Sequence, residues 1–181
     1  MPTFLAIVFR PRATWESLRR GQATWDSSLL HHALPLTLLP AVAWPVGLYM
    51  QGSPLVSGAG AMASAFASTL LLTLACLVCT AAAIYALSAF FEARRDWNAA
   101  VALSAYSATP VLLAGGLLFM PVLVVAGILA LLHALVLLSV GAEVLLDCRS
   151  SDCPGFVAGV ALASAMASMA LGALCSAIGL I

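Results

Sequence analysis

A helix that crosses a bilayer needs about 20 consecutive, mostly apolar residues, because the hydrocarbon is about 30 Å thick. This chain supplies five such stretches, at about 29–50, 61–91, 99–118, 121–146 and 156–181. Composition closes off the soluble alternative. Hydrophobic residues make up 64% of the 181 positions and charged residues 8%, with a mean hydropathy of +1.11, against about 25% charged in ordinary soluble domains. The expected fold is all-α: a polytopic bundle of five transmembrane helices over 29–181, preceded by a short cytoplasmic amphipathic segment over 1–28. Net charge is zero, so nothing in the bulk electrostatics points to nucleic acid.

The stretches are not alike. The first carries Pro35, Pro40 and Pro45, whose five-residue spacing puts them on different faces and predicts a kinked helix. The second is overlong, which predicts strong tilt or a Gly/Ser/Ala-rich start at the surface. Pro121 suits the first turn of the fourth. Charges mark the joints: Arg10, Arg12, Arg19 and Arg20 before the first, Glu92, Arg94, Arg95 and Asp96 between the second and third, Asp147, Arg149 and Asp152 between the fourth and fifth. With five crossings every arginine falls on one side. The positive-inside rule makes that side cytoplasmic, with the N-terminus inside and the C-terminus outside. Trp25 and Trp97 then sit at inner boundaries, and Trp44 and Tyr49 near the outer one, where such rings anchor.

The N-terminal stretch lacks the basic region and long apolar core of a cleavable signal, and carries no glycine for myristoylation. From Pro2 to Arg20 it interleaves arginines with Trp15 and Leu18. That pattern fits either a surface-lying amphipathic helix or a solvated tail that only sets topology.

Ionisable side chains within spans are costly, so each is a functional candidate. His133 falls near the middle of the fourth span and Glu143 near its cytoplasmic end. Each also has a plain reading, His133 as a neutral partner of another helix and Glu143 as a group that reaches water. His31 and His32, at the inner mouth of the first span, read as interfacial. Cys76 and Cys79 have redox or metal spacing, yet they sit mid-helix in lipid and read as small packing residues. Cys148 and Cys153 lie on the cytoplasmic side, where thiols stay reduced. There is no G-x-S-x-G, H-E-x-x-H, P-loop or catalytic carboxylate pair, and no cofactor is expected. Rows of small residues let helix backbones approach closely: Gly155, Gly159, Ala163 and Ala167 in the fifth span, beside Ser164, Ser168, Gly172 and Ser176, with Gly60, Ser64 and Ser68 in the second. They predict packing within one protomer or an oligomer face. No internal repeat suggests the inverted halves of many transporters.

Within the third span, Ala105 to Pro110 reads AYSATP. Pro110 cannot donate to the carbonyl of Tyr106 and its ring crowds that turn. In lipid the freed carbonyl must find a partner, with Ser107, Thr109 or a neighbouring helix as candidates. The stretch predicts a kinked, inward-facing polar turn, either a packing kink or a polar site built from Tyr106, Thr109, Pro110, His133 and Glu143. Gly115, Gly116 and Pro121 would then close spans three and four into a hairpin.

The order and spacing of these features resemble the Yip1 family of five-span membrane proteins. The residues that carry the resemblance are AYSATP, similar to that family's Tyr-x-x-x-Pro at the start of its third span, then Gly115, Pro121 and the aliphatic run to Gly141. Phe9 to Trp15 resembles the short Pro-x-x-x-aromatic opening of bacterial members, and Phe90-Phe91 precedes the charged loop. The resemblance implies a cytoplasmic N-terminus, a five-helix bundle and, for a bacterial-type member, residence in the cytoplasmic (inner) membrane. Eukaryotic members bind Rab-type small GTPases and one another. This chain departs from them in lacking a long polar N-terminal region, which puts GTPase binding in doubt. Three functions remain open: a non-enzymatic protein acting through contacts with lipid, with itself or with other membrane proteins, in membrane organisation or trafficking-like roles; a small transporter or channel with a polar intramembrane site; and an intramembrane enzyme.

Overall fold

The computed structural model describes residues 3–21, 23–117 and 124–177. The first helix, α1 (Thr3–Phe9), leads into α2 (Pro11–Arg20). Pro11 opens α2, where a missing N–H costs nothing, and the Gly21 N–H closes it on the Ser17 carbonyl at 2.9 Å. Thr14, Trp15 and Leu18 share one face of α2, spaced three and four apart. Arg12, Glu16, Arg19 and Arg20 are exposed. The helix lays its apolar face against the bundle rather than trailing in solvent.

A π-helical stretch, Ser27–Ala33, runs without interruption into α3 (Leu34–Met50). The Leu34 N–H reaches the Leu29 carbonyl five residues back, and the wider turn gives the Pro35 ring room. Pro40 and Pro45 lie inside α3 and are buried. Gly58, at φ 133°, breaks the chain before α4 (Ala59–Leu87). Then come α5 (Trp97–Ser107), α6 (Thr109–Gly115), α7 (Val124–Leu145) and α8 (Cys153–Ala177).

Among the described residues, four helical segments are long and apolar enough to cross a membrane: Ser27–Met50, Ala59–Leu87, Val125–Leu145 and Cys153–Ala177. The expected third span, 99–118, is not one helix of that length. It breaks at Ala108 into 11 and 7 residues, because Pro110 has no N–H to continue the ladder. The overlong second stretch stops at Leu87. Pro121, placed by the sequence in the first turn of the fourth span, lies outside the described residues, as do the last residues of the fifth.

α5 is the centre. Every residue from Ala100 to Ser107 is buried, and its Ala and Ser side chains let α4, α7 and the π-helical stretch come close,. The Ser104 hydroxyl donates to the Leu77 carbonyl of α4 at 2.7 Å. Asp96 caps α5, its carboxylate accepting from the N–H groups of Asn98 and Ala99,. Outward-facing side chains such as Leu71, Ile128, Leu162 and Met169 are large and apolar, as a hydrocarbon solvent allows.

The charges meet at one end. Arg19 grips Asp147 with two nitrogens, at 2.8 and 3.1 Å. Arg149 lies 3.5 Å from Glu92, and Arg94 lies 2.8 Å from Asp96. The backbone N–H of Arg94 donates to the Leu146 carbonyl at 2.7 Å, tying the α4–α5 joint to the end of α7.

Candidate functional site

The polar turn at 105–110 sits where α2, α3, α5, α6 and α7 converge. Tyr106 is its hub. The His32 ring stacks on the Tyr106 ring with centroids 3.8 Å apart and planes 22° apart. Trp15 meets Tyr106 edge-on at 6.1 Å. His32 Nε2 lies 2.9 Å from Thr109 Oγ1, across the helix break. Trp15, His32, Tyr106 and Thr109 are all buried. In a buried site, a hydroxyl and an imidazole nitrogen that satisfy each other remove two desolvation costs at once.

Local sequence builds each part. The π-helical stretch places His32 one turn beyond Ser28, on the face that packs against α5. The break at Ala108 puts Thr109 and Pro110 in the first turn of α6. Ser107 Oγ donates to the Ser104 carbonyl at 3.3 Å, so the hydroxyls near the kink serve the backbone and His32. Trp15 fits because position 141 has no side chain. A Cβ built on Gly141 would stand 2.8 Å from the indole and closer still to Leu103.

Of the sequence candidates, Tyr106, Thr109 and Pro110 come together. His133 and Glu143 do not join them: among the described residues no hydrogen bond or ring contact links either to this cluster. His133 lies mid-way along α7 with Nε2 buried and without a partner among the described residues. Glu143 is exposed at the charged end, lining a cavity of about 360 Å³ with Arg12, Glu16, Arg19 and Arg20. The two residues that sequence reasoning left out of the site are Trp15 and His32, read as parts of an interfacial segment. Their partners lie far along the chain, and only the burial of an otherwise interfacial ring distinguishes them.

A second cavity, of about 410 Å³, opens at the charged end between α2, α5 and α7. Along α8 the small-residue row divides. Gly155 faces Phe91 and Gly159 faces Leu87, where an added Cβ would stand 3.2 and 3.3 Å from those side chains. Ser168 Oγ donates to Cys76 Sγ at 3.5 Å. These contacts run antiparallel along α4. Ala163 and Ser164 are half-buried, with the Ser164 hydroxyl lacking a partner among the described residues. A Cβ on Gly172 meets nothing within 4 Å among the described residues. No three metal-binding side chains come together among the described residues.

No curated protein and no solved structure matches the chain. A family model described as the Yip1 domain matches residues 5–174, nearly the whole length and every element of the polar turn. This all-helical membrane protein belongs to the Yip1 domain family.

Proposed function

We propose that the chain crosses the bacterial cytoplasmic membrane five times, with its N-terminus in the cytosol and its C-terminus outside, and works without catalysis through lateral helix contacts with a second copy of itself. The bond from the Arg94 N–H to the Leu146 carbonyl supports the fifth crossing. It puts the start of α5 and the end of α7 at the same end of the bundle, and α7 itself runs the full depth. A return by the broken pair α5–α6 would make the fifth crossing, and Trp97 to Gly115 at 1.5 Å per residue would cover about 28 Å at most, close to the hydrocarbon thickness.

The observation that carries the functional reading is the fate of the glycines. At the charged end, Gly141, Gly155 and Gly159 are packed against Trp15, Phe91 and Leu87. Away from that end Gly115 and Gly116 are packed against Pro40 and Leu39, whereas Gly60 of α4, Gly127 of α7 and Gly172 of α8 would accept a Cβ with nothing within 4 Å among the described residues. Small residues without a neighbour among the described residues leave room for another backbone to approach, a feature of helix association in lipid. Native mass measurement of the chain in lipid nanodiscs tests this. Dimers or larger assemblies are expected, reverting to monomers in Gly172→Ile and Gly127→Ile. Strict monomers at every protein-to-lipid ratio would remove the reading.

A further inference from the structure

The 410 Å³ cavity at the charged end is amphipathic. Leu18, Ala99, Ala102 and Leu145 give it an apolar side, and Arg19, Thr24, Arg94, Asn98 and the carboxylate of Asp96 a polar one. Its volume lies within the roughly 300–1,000 Å³ of small-molecule sites. The polar side is partly committed. Arg19 spends its nitrogens on Asp147 and the Val144 carbonyl. Arg94 engages Asp96 through one guanidinium nitrogen, and the other guanidinium N–H groups have no partner among the described residues. Asn98 Oδ1 accepts from the Trp25 N–H at 3.0 Å, which holds the side chain in place and leaves its amide N–H₂ as a donor.

Position and charge narrow the occupant. Trp25 follows Thr24 and Trp97 lies between Asp96 and Asn98 of the lining, and both indoles are exposed. Exposed tryptophans at helix ends mark the headgroup layer. The guanidinium of Arg95, next to Arg94, sits 4.4 Å over the Tyr85 ring, and Tyr85 meets Trp97 edge-on at 5.8 Å, so the basic residues are held within that aromatic layer. Asp96 and Asp147 already balance Arg94 and Arg19. A doubly charged phosphate monoester would meet two nearby carboxylates, whereas a singly charged phosphodiester needs only the spare N–H groups of Arg94 and Asn98.

We infer that this cavity holds the phosphodiester headgroup of a glycerophospholipid, its phosphate on Arg94 and Asn98 and its glycerol against the apolar side. The inference rests on the reading that the charged end lies at the membrane interface, but not on which leaflet that is. Labelling from outside tests the leaflet, and lipid retention tests the site, so the two can fail separately.

The test is native mass spectrometry of the full chain in mild detergent, with three probes: dioleoylphosphatidylethanolamine, dioleoylglycerol and inorganic phosphate. One equivalent of the phospholipid should be retained. Retention should fall about tenfold or more in Arg94→Ala, the scale of a lost hydrogen bond to a charged group. It should fall likewise in Ala99→Leu, which fills the apolar side without touching charge. Arg95→Ala, outside the lining, should leave it unchanged. Dioleoylglycerol should not be retained, and millimolar inorganic phosphate should neither bind nor displace the lipid. Circular dichroism checks that each variant is helical, and Ala99→Leu decides the matter if Arg94→Ala does not fold. Undiminished retention in folded Ala99→Leu, equal retention of dioleoylglycerol, or binding of inorganic phosphate in place of lipid would each overturn the inference.

Discussion

His32 and Thr109, 77 residues apart, meet across the break between α5 and α6, with Nε2 and Oγ1 2.9 Å apart. Thr109→Val keeps the shape and removes the partner, leaving a buried ring nitrogen unpaired. Hydrogen bonds between helices in membranes contribute about 0.6 kcal/mol on average and up to about 1.7, and an unsatisfied buried group costs about 1–3. A loss of about 1–2 kcal/mol is expected in a denaturant titration in detergent, with Thr109→Ser recovering most of it. Equal stability of Thr109→Val and the natural chain would show the contact to be idle.

Two different contacts hold α2 to the bundle, and their magnitudes differ. Trp15 is fully buried, and truncating such a ring to alanine costs about 3–5 kcal/mol. The Arg19–Asp147 pair has side chains 46% and 52% exposed, which limits it to about 1 kcal/mol or less. Limited trypsin digestion reads the difference. Cleavage after Arg19 and Arg20 should accelerate strongly in Trp15→Ala and little in Asp147→Asn. The reverse order would mean that charge, not packing, docks the helix.

Gly141 admits Trp15 and Leu103 together, so adding a methyl there should cost about 1–3 kcal/mol, the range for overpacking. Gly141→Ala should be less costly once Trp15 is alanine, because the two side chains share space and their effects do not add, while the part of the cost that falls on Leu103 remains. A double-mutant cycle on chemical stability measures this coupling; additive effects would place the clash elsewhere.

Glycines on α8 should separate by position. Gly159→Leu drives a side chain into Leu87 and should part α4 from α8, lowering the thermal midpoint of the monomer. A Cβ at Gly172 meets nothing within 4 Å among the described residues, so Gly172→Leu, measured in detergent and dilute enough to keep the chain monomeric, should leave that midpoint within a degree or two. A drop of similar size in both variants would mean that α8 packs differently along its outer half.

Orientation is checked with single cysteines in a chain whose own cysteines are replaced. Ser57→Cys, in the joint between α3 and α4, should react with a membrane-impermeant maleimide on intact cells. Ser150→Cys, in the joint between α7 and α8, should react only after permeabilisation. Labelling of Ser150→Cys from outside would break the five-crossing arrangement.

Much of this architecture is legible in one dimension, because lipid as a solvent imposes a length, an apolar surface and a place for charge. The apolar runs located the long helices, the arginines marked the joints, and Pro110 foretold the break in the third run. What the sequence could not reveal was which polar residue meets which. Tyr106 and Thr109 had to find partners, and nothing in their neighbourhood named His32 or Trp15. His133 looked equally eligible by residue type, yet the fold leaves it apart from the polar turn. Arg19 and Asp147, 128 positions apart, carry no local sign of each other. Hydropathy is a property of each residue against its solvent and survives without neighbours. Stacking, hydrogen bonding and the clearance above a glycine are properties of pairs, and only the packing of α2, α3, α5 and α7 around one turn decides them.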